Sequence, residues 1–248
     1  MFTMYGNSVT GLVRKQNQDR YACGLFTDGT AWAIVCDGMG GPKGGEIAAE
    51  IAVSTVKRQW EMSYSSEMRA DSIQNMMHES ALLANNKIFQ SACKRPDLIG
   101  MGTTMVSCIW RKDTLFVLHA GDSRLYSYTE KAGELTQLTH DHSMVQNLVD
   151  HGEITKDQAN RHPERNLITK AVGVKENFCP DFTKIGMPPA ASLLLCTDGL
   201  NSECDDAQIQ QLLQKNRSPQ DAVGACINEA LKQGGHDNIT AVFIRKSR

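Results

Sequence analysis

The chain has 248 residues, 41% of them apolar and 22% charged, with a formal net charge of -2. These proportions exclude a disordered chain and are typical of a globular protein with a large core. The near balance of acids and bases argues against a nucleic-acid-binding protein, and no segment approaches the ~20 apolar residues of a membrane-spanning helix. Residues 1–14 are polar and resemble neither a secretory signal nor an anchor, so we expect a cytoplasmic monomer without membrane contact.

The first part of the chain predicts short strands and then two long helices. The apolar run at 31–36 ends at an Asp-Gly pair, as a buried strand entering a turn does. Apolar residues at i, i+4 spacing indicate an amphipathic helix over 44–60. The predicted elements here are strands at 2–5, 20–23 and 31–36 and helices at 44–60 and 68–93.

The second part returns to strands joined by short turns, which favours antiparallel pairing. Strands are predicted at 103–110, 114–119, 124–128, 135–138, 182–185, 192–196 and 238–244, and helices at 143–160, 205–215 and 219–233, the first continuing less regularly to 173. This order indicates an α+β fold with helices on the outer faces of β-sheets, in one domain spanning 1–248. No GxGxxG or GxxxxGK[ST] nucleotide motif is present.

The eight cysteines contain no CxxC pair, which argues against a zinc site. Most lie in apolar segments, so we expect free thiols that behave as buried apolar side chains.

Four aspartates share one setting at the ends of apolar segments, each beside glycine or another turn-forming residue. They are Asp37, Asp122, Asp198 and Asp237. Turn chemistry explains any one of them alone. If the four converge, their carboxylates need cations, and all-oxygen ligands favour Mg²⁺ or Mn²⁺. A pair of such ions activates a water for displacement at phosphorus. Spacing alone does not establish the convergence.

Arg14 opens the polar segment Arg14-Lys15-Gln16-Asn17-Gln18-Asp19. An arginine can hold a phosphate through two parallel hydrogen bonds. Without further context, a solvated surface charge is the better interpretation.

Eight short motifs, in this order and spanning nearly the whole chain, resemble the metal-dependent protein phosphatases of the protein phosphatase 2C type, and specifically their bacterial serine/threonine branch. The motifs are Arg14-x-x-Asn17-Gln18-Asp19, Asp37-Gly38-Met39-Gly40-Gly41, Gly102-Thr103-Thr104, Gly121-Asp122-Ser123-Arg124, Leu138-Thr139-x-Asp141-His142-Ser143, His162-Pro163-x-Arg165-Asn166, Thr197-Asp198-Gly199-Leu200 and Gly235-x-Asp237-Asn238-Ile239-Thr240.

The resemblance implies a site for two core ions, Mn²⁺ or Mg²⁺. Asp37 matches the carboxylate that bridges both ions. Asp198 and Asp237 match ligands of the first ion, and the carbonyl of Gly38 matches a ligand of the second. The implied nucleophile is a water or hydroxide between the two ions.

Three further residues receive roles from the resemblance. Asp19 matches a carboxylate that orients a metal-bound water. Asp122, together with Asp198, matches the site of a third, weaker ion, and Arg14 matches the residue that binds the substrate phosphate. The implied substrates are phosphoproteins made by a serine/threonine kinase.

The implied fold is a central β-sandwich flanked by helices on both outer faces, and residues 143–173 match a variable flap beside the active site. We expect Gly102, Thr103 and Thr104 to shape the start of a strand. Ser123 and Arg124 are expected to support the Asp122 loop, and Asn238 to order the turn around Asp237.

Two positions depart from the pattern of many eukaryotic members. Gln18 replaces a glutamate, and Met39 replaces a histidine proposed as a general acid. Both changes are common in the bacterial branch. The histidines near the motifs, namely His140, His142, His162 and His236, do not match the acid position. We therefore predict that a metal-bound or metal-ordered water donates the proton.

The sequence also bears on three other functions. A pseudophosphatase that only binds phosphopeptides or a partner conflicts with the presence of Asp37, Asp198 and Asp237. A phosphatase of a sigma-factor or sporulation circuit usually carries sensory domains, for which this chain has no room. An unrelated metal-dependent nuclease fits the aspartates but not the motif order.

Overall fold

Two five-stranded antiparallel sheets form the centre of the computed structural model, which describes residues 1–159, 161–188, 190–216 and 218–246. The first sheet contains, in spatial order, β1 (Phe2–Val9), β12 (Ile239–Lys246), β11 (Ala191–Cys196), β8 (Arg124–Thr129) and β9 (Glu134–Gln137). The second contains β10 (Asp181–Gly186), β7 (Thr114–Ala120), β6 (Met105–Arg111), β3 (Ala31–Cys36) and β2 (Arg20–Leu25). A small ribbon pairs β4 (Gly38–Met39) with β5 (Gly102–Thr103).

Long helices cover the outer faces of the two sheets. The helices are α1 (Gly41–Ser63), α2 (Ala70–Lys94), α3 (Met144–Asp150), α4 (Lys156–Ala159), α5 (Asp198–Asn201), α6 (Asp206–Lys215) and α7 (Pro219–Gln233), with a 3-10 turn at Pro96–Leu98. Within the described ranges, none of them combines the length and apolar character needed to cross a bilayer.

The alternation of side chains along each central strand explains the layered packing. In β3, Ala31, Ala33 and Val35 pack in the cluster between the two sheets. Trp32 and Ile34 point the other way, into the cluster beneath α1 and α2. Because strand side chains alternate with period two, a strand that is apolar at every position must be buried on both faces. A third apolar cluster packs the first sheet against α6 and α7. The predicted sandwich with helices on both outer faces, four layers in all, is therefore confirmed.

The flap contains the clearest error in the predicted secondary structure. The helix expected over 143–160 stops at Asp150, and a separate short helix covers Lys156–Ala159; Asn160 lies outside the described residues. Gly152 adopts φ 72°. Its N–H donates to Val149 O (3.0 Å) and the N–H of Glu153 donates to Leu148 O (2.9 Å), which is the Schellman pattern of a helix end.

All eight cysteines are free, as expected, and five are buried. Cys93 and Cys179 are exposed, so burial was wrongly expected for these two.

Strand register gathers the aspartate-bearing loops at one edge of the sandwich. In the second sheet, the end of β3 pairs with the start of β2, and the end of β7 pairs with the start of β6. In the first sheet, the end of β11 pairs with the start of β8. The end of β1 pairs with the start of β12, so the segments that follow Val9 and precede Ile239 lie side by side.

Candidate active site

The structure brings three of the predicted metal ligands together. Asp37 directly follows β3, and Asp198 begins α5 just after β11. Their carboxyls lie close enough to share a proton, a contact that adds to the burial-raised pKa of Asp37 and opposes the rise that burial causes in the pKa of Asp198. Asp237 precedes β12, and its charge raises the pKa of Asp198. Two loops of one sheet and one loop of the other therefore contribute carboxyls to a single cluster.

Asp19 is held in one orientation beside this cluster. It is 1% exposed. Its Oδ2 accepts hydrogen bonds from Thr197 Oγ1 (2.8 Å) and Thr240 Oγ1 (2.6 Å). Its Oδ1 is buried and has no hydrogen-bond partner. The two threonines therefore fix the carboxyl while leaving one oxygen available inside the site.

Burial and mutual repulsion favour protonation of these carboxyls. Burial raises the pKa of Asp19 to about 7, with the charges of Asp198 and Asp237 adding to the shift. Burial is also the main cause that raises the pKa of Asp37 and Asp122 well above the ordinary value, and neighbouring aspartates raise both further. Clustered buried carboxylates are unfavourable unless protons or cations neutralise them.

The residues fit a divalent ion by their chemistry. Buried oxygens without hydrogen-bond partners occur in Asp19, Asp122 and Asp198, all at Oδ1. All the candidate donors are oxygens, the set that Mg²⁺ and Mn²⁺ prefer. In the part of the chain that the structure describes, no three Asp, Glu, His or Cys side chains already form a compact ligand group. Asp37 instead bonds to Asp198, and Asp237 pairs with Arg14.

Gly38 lies where the backbone must approach its neighbours closely. A Cβ at this position would lie 2.1 Å from the carbonyl oxygen of Gly45 in α1 and 2.7 Å from that of Gln18. Only glycine fits there without displacing backbone. The segment after Asp37 is thereby packed against α1 and the loop that carries Asp19.

Arg14 lies at the exposed side of the carboxyl cluster. Its Nη2 donates to Asp237 Oδ2 at 2.6 Å, while 55% of the side chain remains exposed. This hydrogen bond is the main cause that raises the pKa of the guanidinium, and the charges of Asp37 and Asp198 contribute as well. Arg14 therefore lies beside the carboxyl cluster and remains accessible to solvent. Its contact with the cluster distinguishes it from an isolated surface charge.

Asn238 holds the loop that carries Arg14. Its Nδ2 donates to the carbonyls of Thr10 and Gln16, both at 2.9 Å, and its Oδ1 accepts from the N–H of Gln18 at 2.8 Å. The sequence predicted that Asn238 orders only the turn around Asp237. It also fixes the Arg14 loop, a role that sequence reasoning missed because the partners lie more than 200 residues away.

The motif that ends at Ser143 supports the Asp122 loop. Arg124 forms a two-pronged ion pair with Asp141, with its Nε and Nη2 2.9 and 2.7 Å from Oδ2. His142 forms two bonds with Gly121: its N–H donates to the carbonyl at 2.8 Å, and its Nδ1 accepts the N–H at 3.0 Å. The predicted supporting role of Arg124 thus has a structural basis.

A cleft of about 680 Å³ opens from the cluster towards solvent. Asp122 and Asp198 are among its lining residues. The flap forms one wall, and the segment from α5 to the start of α6 forms the other. Residues lining these walls include Gln146, Asn166, Glu203 and Asp206.

The four histidines near the motifs are engaged in local hydrogen bonds. His142 Nδ1 accepts a hydrogen bond from the N–H of Gly121, so Nε2 carries the ring hydrogen and donates it to Asp181 Oδ2 at 3.0 Å. The other contacts are His140 with Asp150 (2.7 Å), His162 with the N–H of Glu164 (3.1 Å) and His236 with Glu203 (2.7 Å). Each of the four histidines is therefore held by at least one hydrogen bond to a neighbouring group.

A carboxyl cluster and an arginine at one edge of a helix-flanked β-sandwich are typical of a metal-dependent phosphate-ester hydrolase. Comparison with known proteins defines the family. Residues 13–234 match the model of the family described as protein phosphatase 2C. The serine/threonine phosphatase stp of Listeria welshimeri is 32% identical over 237 residues, which cover 96% of this chain and 93% of that protein.

Solved structures show the same likeness. The serine/threonine phosphatase of S. agalactiae is 30% identical, with a TM-score of 0.92 and full coverage of both chains. The catalytic domain of the phosphatase PstP in complex with 2 manganese ions is 30% identical, with a TM-score of 0.84, covering 98% of this chain and 97% of that one. This chain belongs to the protein phosphatase 2C family. The predicted family, fold and activity, that of a serine/threonine protein phosphatase, are confirmed.

Proposed function

We propose that this chain hydrolyses phosphoserine and phosphothreonine in proteins with divalent ions held by its aspartate cluster. The observation that carries the proposal is the convergence of Asp19, Asp37, Asp122 and Asp198, three of which keep a buried oxygen without a partner. A protein that only binds phosphopeptides does not need these unfavourably placed carboxyls.

Asp37, Asp198 and Asp237, with the carbonyl of Gly38, are the proposed ligands of two core ions, and Asp122 with Asp198 is the proposed site of a third. The family likeness and the manganese complex of PstP support Mn²⁺ or Mg²⁺. When bound, such ions supply an activated water and stabilise negative charge at phosphorus.

The chain's own residues orient the reaction. Asp19 is fixed by Thr197 and Thr240, so its free oxygen can accept a hydrogen bond from a water at the centre of the site. Arg14 now pairs with Asp237 by one nitrogen, and its half-exposed guanidinium can turn to bind a phosphate by two parallel hydrogen bonds. With no family-matched histidine, we propose that an ordered water donates the proton to the serine or threonine oxygen.

The cleft beside the flap is proposed to receive the polypeptide around the phosphorylated residue. Its substrates are then phosphoproteins produced by a serine/threonine kinase, as expected in bacterial signalling. We propose that residues 1–248 act as one catalytic domain, with 143–173 as its flap. A monomer and a cytoplasmic location stay predictions from the sequence.

The test is phosphate release from a phosphothreonine peptide with Mn²⁺, with Mg²⁺, or with excess chelator. We expect turnover with a divalent ion, loss of turnover in chelator and recovery when the ion is restored. The unphosphorylated peptide with added inorganic phosphate serves as a background control. Equal turnover in chelator would contradict the proposal.

A further inference from the structure

Thr104 contacts two of the loops that carry the proposed metal ligands, those of Asp37 and Asp122. It lies between β5 and β6 and is fully buried. Its N–H donates to the carbonyl of Asp37 at 2.8 Å, and its Oγ1 accepts the N–H of Asp37 at 2.9 Å. Thr104 therefore fixes the backbone of Asp37 on both sides without touching its carboxyl.

The same hydroxyl reaches the second loop. Thr104 Oγ1 lies 2.7 Å from Ser123 Oγ, next to Asp122. Because Oγ1 already accepts a hydrogen from Asp37, its own hydrogen is available for Ser123. Ser123 is also fully buried, and its carbonyl contacts His119 Nε2 at 2.9 Å. The hydroxyl pair thus links two loops that belong to different strand connections.

Packing reinforces this link. Gly121 adopts φ 112°, and a Cβ there would lie 2.6 Å from both Cβ and Cγ2 of Thr104. The backbone just before Asp122 therefore rests on the threonine side chain. A serine at position 104 would keep the hydroxyl but lose the methyl group, whereas a valine would keep the shape and lose the hydroxyl.

We infer that Thr104 is a positioning residue that sets the distance between Asp37 and Asp122, and so links the paired-ion site to the third-ion site. The inference rests on the proposed metal-dependent function and adds to the predicted role of Thr104 in starting a strand. Residues that hold ligands in place affect metal affinity or activity by ~10–100-fold when removed.

The experiment compares wild type with Thr104→Val, Thr104→Ser, Ser123→Ala and the double variant Thr104→Val/Ser123→Ala. Calorimetric titration with Mn²⁺ counts the ions and gives their affinities, and phosphopeptide turnover is measured against Mn²⁺ concentration. Thr55→Val is the matched control, since Thr55 is a buried threonine on α1.

We expect Thr104→Val to raise the Mn²⁺ concentration for half-maximal turnover by ~10-fold or more and to weaken the third ion. Thr104→Ser should stay within about 3-fold of wild type, because the hydroxyl link remains. The double variant should need no more Mn²⁺ than the more impaired single variant, since both changes break the same Thr104–Ser123 hydroxyl link. Ser123→Ala alone, which leaves the bonds to Asp37 intact, should weaken the third ion and spare the pair.

The inference would be overturned if Thr104→Val and Ser123→Ala both bound the wild-type number of ions and needed the wild-type Mn²⁺ concentration for turnover. The proposed function would stand in that case. Equal impairment of Thr104→Val and Thr104→Ser would also overturn it, because packing rather than the hydroxyl would then be responsible. If Thr104→Val does not fold, Ser123→Ala and Thr104→Ser decide the matter. A wild-type protein that turns over without a divalent ion would overturn the proposed function as well.

Discussion

Binding of Mn²⁺ should release protons from the aspartate cluster in a pH-dependent way. The pKa of Asp19 is raised to about 7, mainly by burial, so this carboxyl is mostly protonated at pH 6 and mostly ionised at pH 8. Burial and neighbouring charge also raise the pKa values of Asp37 and Asp122 well above the ordinary value, so protons compete with cations at these carboxyls as well. Divalent cations in the site favour the ionised carboxyls, both the proposed ligands and Asp19 beside them, so these groups lose their protons when the ions bind.

We expect Mn²⁺ binding to release more protons at pH 6 than at pH 8, because Asp19 passes from mostly protonated to mostly ionised between these pH values. The sign follows from competition: protons stabilise the metal-free cluster at low pH, so apparent Mn²⁺ affinity rises as the pH rises. The same reasoning predicts that turnover at limiting Mn²⁺ falls as the pH drops below 7.

Calorimetric titration in two buffers of different ionisation enthalpy measures the released protons. Asp19→Asn is the control, because it removes one titrating carboxyl: its release at pH 6 should be about one proton smaller. Mn²⁺ binding without proton release at pH 6, or a release unchanged in Asp19→Asn, would refute the assignment of these carboxyls to the ion site.

Three further predictions concern individual residues. Arg14→Ala should raise KM for a phosphopeptide more than it lowers kcat. Arg95→Ala, at an exposed arginine, is the control. If Arg14→Ala leaves KM unchanged, as the control should, Arg14 is a surface charge without a role in phosphate binding. Asp122→Ala should lower turnover but still bind two Mn²⁺ ions, as counted by calorimetric titration. A variant that binds no Mn²⁺ would show that Asp122 is a ligand of the two core ions. Alanine variants of His140, His142, His162 and His236 should keep the wild-type ratio of phosphopeptide to nitrophenyl phosphate turnover; a variant that loses only the peptide reaction would identify a side-chain acid.

The fold was largely predictable because its signals are local. The run Ala31–Cys36 is apolar at every position, which requires burial on both faces, and the structure places it between two layers. The flap was not predictable to the same degree. Its polar helical stretch was interpreted as continuous, although Gly152 provides a sequence signal for a helix end.

The site was predictable in its residue types but not in its geometry. Aspartates beside glycine at strand ends indicated the chemistry, and the resemblance supplied the roles. Their convergence depends on pairings between strands that are distant in sequence, such as β1 with β12 and β11 with β8. The supporting contacts of Asn238 and Thr104 were missed for the same reason: their partners are distant in sequence, and hydrogen bonds between distant loops leave no periodic pattern.

The most direct test of the metal-dependent site is the turnover of Asp37→Asn on a phosphothreonine peptide at saturating Mn²⁺, beside the control Asp71→Asn at an exposed position of α2. Metal ions supply several kcal/mol of transition-state stabilisation, so loss of the proposed bridging carboxylate should lower kcat/KM by at least about 1000-fold. Asp71→Asn should keep wild-type turnover, and both variants should show the same far-ultraviolet circular dichroism as wild type. A folded Asp37→Asn with wild-type turnover would contradict the central claim.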